Sequence, residues 1–191
     1  MTRLLLSLIG ALMLSLPVDG WAQPMRERPA LTVFFAPEVA TSRFFGDAQS
    51  QTSWSFGGHL RQGLGYGPVI AWLRVGGDAW LTYQPGPPLQ RGLRSFNTGV
   101  GLGFQHEVSV LRFTVFGEYD LINISGNPLP TILGPKTRYH AVGGGAAAAF
   151  TALSPLFVEL RASALHWFGT ASPTQSLQIF LSIGIEAKIR R

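Results

Sequence analysis

Residues 69–83 read VIAWLRVGGDAWLTY, and their side chains alternate in kind. Odd positions run Val69, Ala71, Leu73, Val75, Gly77, Ala79, Leu81 and Tyr83, while even positions run Ile70, Trp72, Arg74, Gly76, Asp78, Trp80 and Thr82. Successive side chains of a β-strand point to opposite faces, so this period of two yields one face without charge. The other face mixes rings, glycine and one charge of each sign. The segment 177–189 repeats the pattern, with Leu177, Ile179, Leu181, Ile183, Ile185, Ala187 and Ile189 on one side. Stretches 96–104, 111–121 and 156–168 do the same.

Three further stretches alternate with interruptions: 31–41, broken by Pro37; 54–62, with Trp54, Phe56, Gly58 and Leu60 on one face; and 138–150. The last holds Gly143-Gly144-Gly145 followed by four alanines. Alanine favours helix, but each glycine in a helix interior costs about 1 kcal/mol. A strand with tiny side chains is therefore expected, leaving room for bulky neighbours.

The connections fall into two kinds. Residues 63–68, 106–110 and 151–155 are short, whereas 41–53, 84–95, 123–137 and 169–176 are longer and rich in Pro, Gly, Ser and Asn. They alternate strictly along the chain, which implies two different ends. Eight antiparallel strands with short turns at one end and long loops at the other are the layout of an all-β, up-and-down transmembrane β-barrel.

Composition decides which face points outward. Only 13% of the 191 residues are charged, about half the usual share of a soluble domain. A soluble lipocalin-like barrel would have to meet water with Trp72, Trp80, Phe116, Phe157, Leu165 and Trp167, a surface prone to aggregation. With the barrel inverted, the uncharged face meets lipid and the mixed face fills a narrow lumen. Trp54, Tyr83, Phe96, Phe104, Tyr119, Tyr139 and Phe168 then stand near strand ends as interfacial girdles. The amino terminus agrees: Arg3, an apolar run over 4–16, Pro17 and the small residues Gly20 and Ala22 make residues 1–22 a secretory signal peptide and 23–191 the barrel domain. The run of about 13 residues is too short to span a bilayer as a helix.

The mature chain, taken as a whole pattern, resembles the small eight-stranded outer-membrane β-barrel family of Gram-negative bacteria. That resemblance implies residence in the outer membrane among its lipids and lipopolysaccharide, as a monomer. It also implies a carboxy-terminal signal read by the outer-membrane insertion machinery, whose spacing Ser182, Gly184, Ala187 and Ile189 match. The chain departs from the family by having alanine at the first hydrophobic position and by continuing to Arg190-Arg191.

Charges on the mixed faces are Arg61, Arg74, Asp78, Arg112, Glu118, Asp120, Glu159, Arg161, Glu186 and Lys188. Charges withdrawn from water must pair or stay hydrated. An interior polar network that plugs the barrel is thus expected, with a very narrow pore as its alternative. Arg43, Arg91, Arg94, Lys136 and Arg138 fall in or beside the long connections and would meet lipopolysaccharide phosphates through charge-assisted hydrogen bonds.

Catalysis finds little local support. Lipid A deacylases and palmitoyltransferases are barrels with a hydroxyl nucleophile, but no serine follows a histidine by two residues here. Ser163 and His166, three apart, would face opposite ways. With no cysteine, thiol chemistry, disulfides and cysteine-bound metals are excluded, and four dispersed histidines make no metal site. Neither catalytic residue nor cofactor is expected. Gly99-Val100-Gly101-Leu102-Gly103 superficially matches a phosphate loop but lies in a strand pattern without a following helix. The net charge of +5 is dispersed, so it makes no nucleic-acid stripe. The expected role is structural or surface-interacting; a lipid A-modifying enzyme and a periplasmic lipocalin-like carrier are the alternatives.

Overall fold

The computed structural model describes residues 30–45, 52, 54–82, 91–125 and 136–189. Residues 1–22, expected to be a signal peptide, and Tyr83 lie outside the described residues. Eight strands follow in order: β1 Leu31–Phe45, β2 Phe56–Tyr66, β3 Val69–Thr82, β4 Arg91–Val108, β5 Leu111–Ser125, β6 Arg138–Phe150, β7 Leu156–Phe168 and β8 Thr174–Ile189. Each pairs antiparallel with the next, and β8 returns to β1, closing the barrel. Closure removes every sheet edge, which a bilayer interior requires because no water is there to satisfy backbone groups.

Local chemistry fixes the turns. Tyr66 pairs with Val69, leaving Gly67-Pro68 as a two-residue connection with Gly67 at φ +57°. A glycine at positive φ followed by a proline suits the mirror-image turns whose twist matches a hairpin. Pro37 does not break β1. It points outward, and the β1–β8 register is the same before it, at Phe35↔Ile185, as after it, at Glu38↔Ser182.

The strands run further than the apolar alternation. β4 begins at Arg91 rather than near Phe96, and β1 continues to Phe45. The hydrogen-bonded ladder needs only extended backbone on the next strand, so it persists where the side chains have already turned polar.

Orientation follows the inverted arrangement. Arg74 and Asp78 are 1% and 4% exposed, while Val69, Leu73 and Val75 lie on the outside. The lipocalin-like orientation is therefore not the one adopted. Outward residues of β5 between Leu111 and Leu121 are Phe113, Val115, Gly117 and Tyr119. Ten residue steps of a strand tilted as barrel strands are make an apolar band about 25 Å tall. Among the described outward strand side chains, the charged ones are Arg43, Arg94 and Arg138, all at the end of the long connections. Trp54, Phe56, Phe96, Phe104, Tyr119 and Phe168 are exposed on the outer wall, as interfacial rings would be. Tyr139 corrects that expectation. It points into the lumen with no exposed surface, since it occupies the inward parity of β6 beside Ala141.

Inside, two apolar clusters lie one towards each end. Towards the long connections, Phe44, Trp80, Leu93, Ile122, Tyr139, Leu165 and Trp167 pack together, with Phe44 and Trp167 ring centroids 4.9 Å apart. Towards the short turns, Phe34, Ile70, Trp72, Phe116 and Phe157 form the second, in which Trp72 meets Phe116 edge-on at 5.2 Å. Between them lies a charged layer.

Candidate functional site

The charged layer is assembled row by row across the sheet. Arg74 on β3, Gly99 on β4 and Asp120 on β5 share one row. Because Gly99 has no side chain, the guanidinium crosses it and Arg74 Nη2 donates to Asp120 Oδ2 at 2.5 Å. A Cβ at Gly99 would fall on Asp120 Oδ1. In the next row Glu118 lies between Gly101 and Gly143. Its Oε2 sits 3.2 Å from Arg161 Nη1 and 3.6 Å from Arg74 Nη1. The glycines that superficially match a phosphate loop are thus spacers that make room for large neighbours, Asp120 at Gly99 and the Trp72 ring at Gly101.

Glu38 on β1 closes the layer. Its Oε1 lies 2.7 Å from Arg61 Nε, and its Oε2 accepts from Arg161 Nη2 at 2.8 Å. Arg61 also donates to Glu159. Three guanidiniums, those of Arg61, Arg74 and Arg161, and four carboxylates, those of Glu38, Glu118, Asp120 and Glu159, tie β1, β2, β3, β5 and β7 together. Phe180 of β8 lies against two of the cations, its ring centroid 4.0 Å from Arg161 Cζ and 4.5 Å from Arg74 Cζ. Such planar cations stack on aromatic faces while their edges bind carboxylates.

Two smaller groups flank it. Towards the outer cluster, Asp78 accepts from Asn97 Nδ2 at 2.8 Å and lies 3.3 Å from His59 Nε2. Towards the short turns, Arg112 Nη1 reaches Glu186 Oε2 at 2.5 Å and stacks on Phe157. Lys188 departs from the interior expectation. Its side chain is 45% exposed and lies 3.5 Å from Glu107 at the rim, because β8 runs out of barrel there and the ammonium reaches water.

Glu38 and His59 belong to the interior, although sequence reasoning did not place them there. Their parity was readable: Phe34, Ala36, Glu38 and Ala40 alternate inward, and His59 shares a face with Arg61. Of the remaining histidines, His106, His140 and His166 face outward. Ser163 is buried in the lumen, on the opposite face of β7 from His166.

The basic residues expected in loops are largely on strands. Arg43 ends β1 and lies over the Trp54 ring at 5.5 Å. Arg91 opens β4 and Arg94 follows three residues on, and Arg138 opens β6, where its Nε donates to Asn123 Oδ1 at 3.1 Å. Lys136 precedes that strand and is exposed. The ladder extends above the apolar band and carries these side chains with it. Of the residues whose spacing matches the expected assembly signal, Ser182 and Gly184 face the lumen, whereas Ala187 and Ile189 face outward beside Val33 and Leu31.

No protein-family model matches the chain, and no curated protein matches it by sequence. Solved structures do. Neisserial surface protein A, NspA, is similar over 83% of this chain and 97% of its own, with a TM-score of 0.52 at 12% identity. Ail, the attachment invasion locus protein of Yersinia pestis, matches 84% of this chain and all of its own at 8% identity and a TM-score of 0.48. The N-terminal β-barrel domain of Pseudomonas aeruginosa OprF matches 80% of this chain and 97% of its own at 14% identity and a TM-score of 0.42. The closed eight-stranded sheet, with charge inside and an apolar wall outside, is the fold of the small outer-membrane β-barrels.

Proposed function

We propose that the chain is an exported, monomeric, integral outer-membrane barrel with a structural or surface-interaction role, and that its lumen is closed by its own side chains. One observation carries this reading: the outward strand residues between the aromatic rims bear no charge, while the arginines and carboxylates of the same strands lie inside. Water could not support that wall, and lipid solvates it well. Residues 1–22 supply export as a cleaved signal peptide, and Ser182, Gly184, Ala187 and Ile189 present the last strand to the insertion machinery. The closed lumen is supported by the charged layer between two apolar clusters, in a barrel narrow enough for side chains to fill. The same pairing assigns Glu118 and Asp120 to charge neutralisation rather than catalysis. Arg43, Arg91, Arg94, Lys136 and Arg138 put positive charge at the end that meets lipopolysaccharide.

The test is expression with fractionation, gel migration with and without heating, and planar-bilayer recording of the purified protein. Extraction only by detergent, a heat-sensitive compact band and no unitary conductance steps are expected. Recovery in the soluble periplasm would overturn the membrane reading, and resolved steps would overturn the closed lumen. Mass spectrometry of lipid A from the same cells should show an unchanged acyl pattern.

A further inference from the structure

Among the described residues three outward arginines stand at the end of the long connections, and two of them pair with one strand. Arg94 of β4 lies opposite Ser125 of β5, and Arg138 of β6 lies opposite Asn123 of the same strand. They flank β5 from both sides, two interstrand spacings across the sheet and two residues apart along it, so their backbones stand about 12 Å apart, a separation that a headgroup can bridge. Arg138 is already held: its Nε donates to Asn123 Oδ1, which leaves its Nη edge to point elsewhere. That edge is the one a phosphate takes up in bidentate fashion.

Among the described residues, the surroundings supply donors and no outward carboxylate. His140, two residues below Arg138 on the same face, shares a 2.5 Å hydrogen bond between its Nδ1 and Tyr119 Oη. Either group can donate in that bond; in the tautomer where the phenol donates, the imidazole proton resides on Nε2 as a further donor on this face. Ser125 adds a hydroxyl at the exposed strand end. Among the described residues of this half of the barrel, the carboxylates, Glu38, Asp78, Glu118 and Asp120, all point into the lumen. Below the arginines, Phe96 and Tyr119 face outward at the top of the apolar band.

We infer that Arg94, Arg138, Asn123, Ser125 and His140 form a binding site on the outer wall of β4–β6 for a phosphorylated sugar headgroup of lipopolysaccharide, with its acyl chains lying down the apolar band. This rests on the membrane reading above and deepens it, moving recognition from loops to a strand surface. Arg43 lies on the far side of the barrel, over Trp54, and does not take part.

Native mass spectrometry of the full barrel in detergent, titrated with bisphosphorylated lipid A, tests the site. One bound lipid is expected. The R94Q/R138Q double variant should weaken binding at least tenfold, K188Q, which removes a positive charge at the opposite rim, less than twofold, and phosphatase-treated lipid A should bind the unaltered barrel as weakly as intact lipid binds the double variant. Unchanged affinity in the double variant, equal binding of dephosphorylated lipid, or displacement by equimolar inorganic phosphate would each overturn the inference. Heat-modifiable migration of every variant is scored alongside, so a misfolded variant is replaced by R94K/R138K, which keeps charge but loses the bidentate edge and should still weaken binding. Failure of the unaltered protein to show that migration would instead strike at the membrane reading.

Discussion

Replacing Arg161 with methionine removes the cation that joins two carboxylates in the lumen. Arg161 is 1% exposed, lies 2.8 Å from Glu38 and 3.2 Å from Glu118, and its Cζ sits 4.0 Å from the Phe180 ring centroid. Methionine restores much of the apolar volume, so the loss is chiefly electrostatic. Glu38 keeps Arg61 at 2.7 Å, and Glu118 keeps only the longer approach of Arg74 at 3.6 Å. Breaking a buried pair by deleting one partner costs about 3–5 kcal/mol, because the remaining charge stays buried without compensation. We expect about 3 kcal/mol here, the lower end, since both carboxylates retain one cation. Urea unfolding of the barrel reconstituted in phospholipid vesicles, followed by tryptophan fluorescence, measures this as a lower midpoint at unchanged slope. Combining R161M with E118Q should cost clearly less than the two single losses added, because the partners share one network. A single-variant loss below about 1 kcal/mol, in the range of exposed pairs, would refute a dry charged layer and leave a hydrated, open lumen in its place.

Two other perturbations separate the wall from its filling. Gly99→Val puts a side chain where Asp120 Oδ1 lies and should displace that carboxylate from Arg74 at a cost of several kcal/mol. Gly92→Ala, where an added Cβ meets nothing within 4 Å, should stay within about 0.5 kcal/mol of the parent in the same unfolding assay. An arginine at Val100, outward and midway along β4, should destabilise the reconstituted barrel by about 2–4 kcal/mol, whereas one at Val108 near the strand end should cost about 1 or less. Equal effects at both positions would mean that the band does not sit in lipid.

How far residues alone revealed these relations depends on the range of the interaction. Alternation is a local property, so the stretch from Val69 to Thr82 announces its two faces without reference to anything else, and Arg74 and Asp78 lie inside accordingly. Pro37 obscured the same parity in β1, which is why Glu38, the residue that links Arg61 to Arg161, was not assigned to the lumen. Tyr139 was misplaced for a related reason: nearness to a strand end does not say which way a ring points, and its parity with Ala141 does. Register is non-local. That Arg74 faces Asp120 across Gly99 depends on how three strands align, and nothing within β4 shows that its glycines are gaps left for β3 and β5. The outward arginines read as loop residues in the sequence because the apolar pattern stops before the ladder does.

Charge sorting connects the shortage of ionic residues to the excess of positive ones. A wall solvated by lipid admits no charge along its band, so ionic side chains are confined to the lumen and the two rims. Six of the ten acidic residues, Glu38, Asp78, Glu118, Asp120, Glu159 and Glu186, are in the lumen, held against Arg61, Arg74, Arg112, Arg161 and His59. The lumen thus holds six carboxylates against four guanidiniums, a net of −2, so the rest of the chain carries +7 within the total of +5. Glu107 tempers it at the short-turn end, where it faces Lys188. At the other end the described strand residues have no such counterweight, and Arg43, Arg94 and Arg138 turn outward at the aromatic rim. An anion approaching from the plane of the membrane therefore meets, among the described residues, guanidinium groups with no outward carboxylate beside them, and two of these flank the single strand β5.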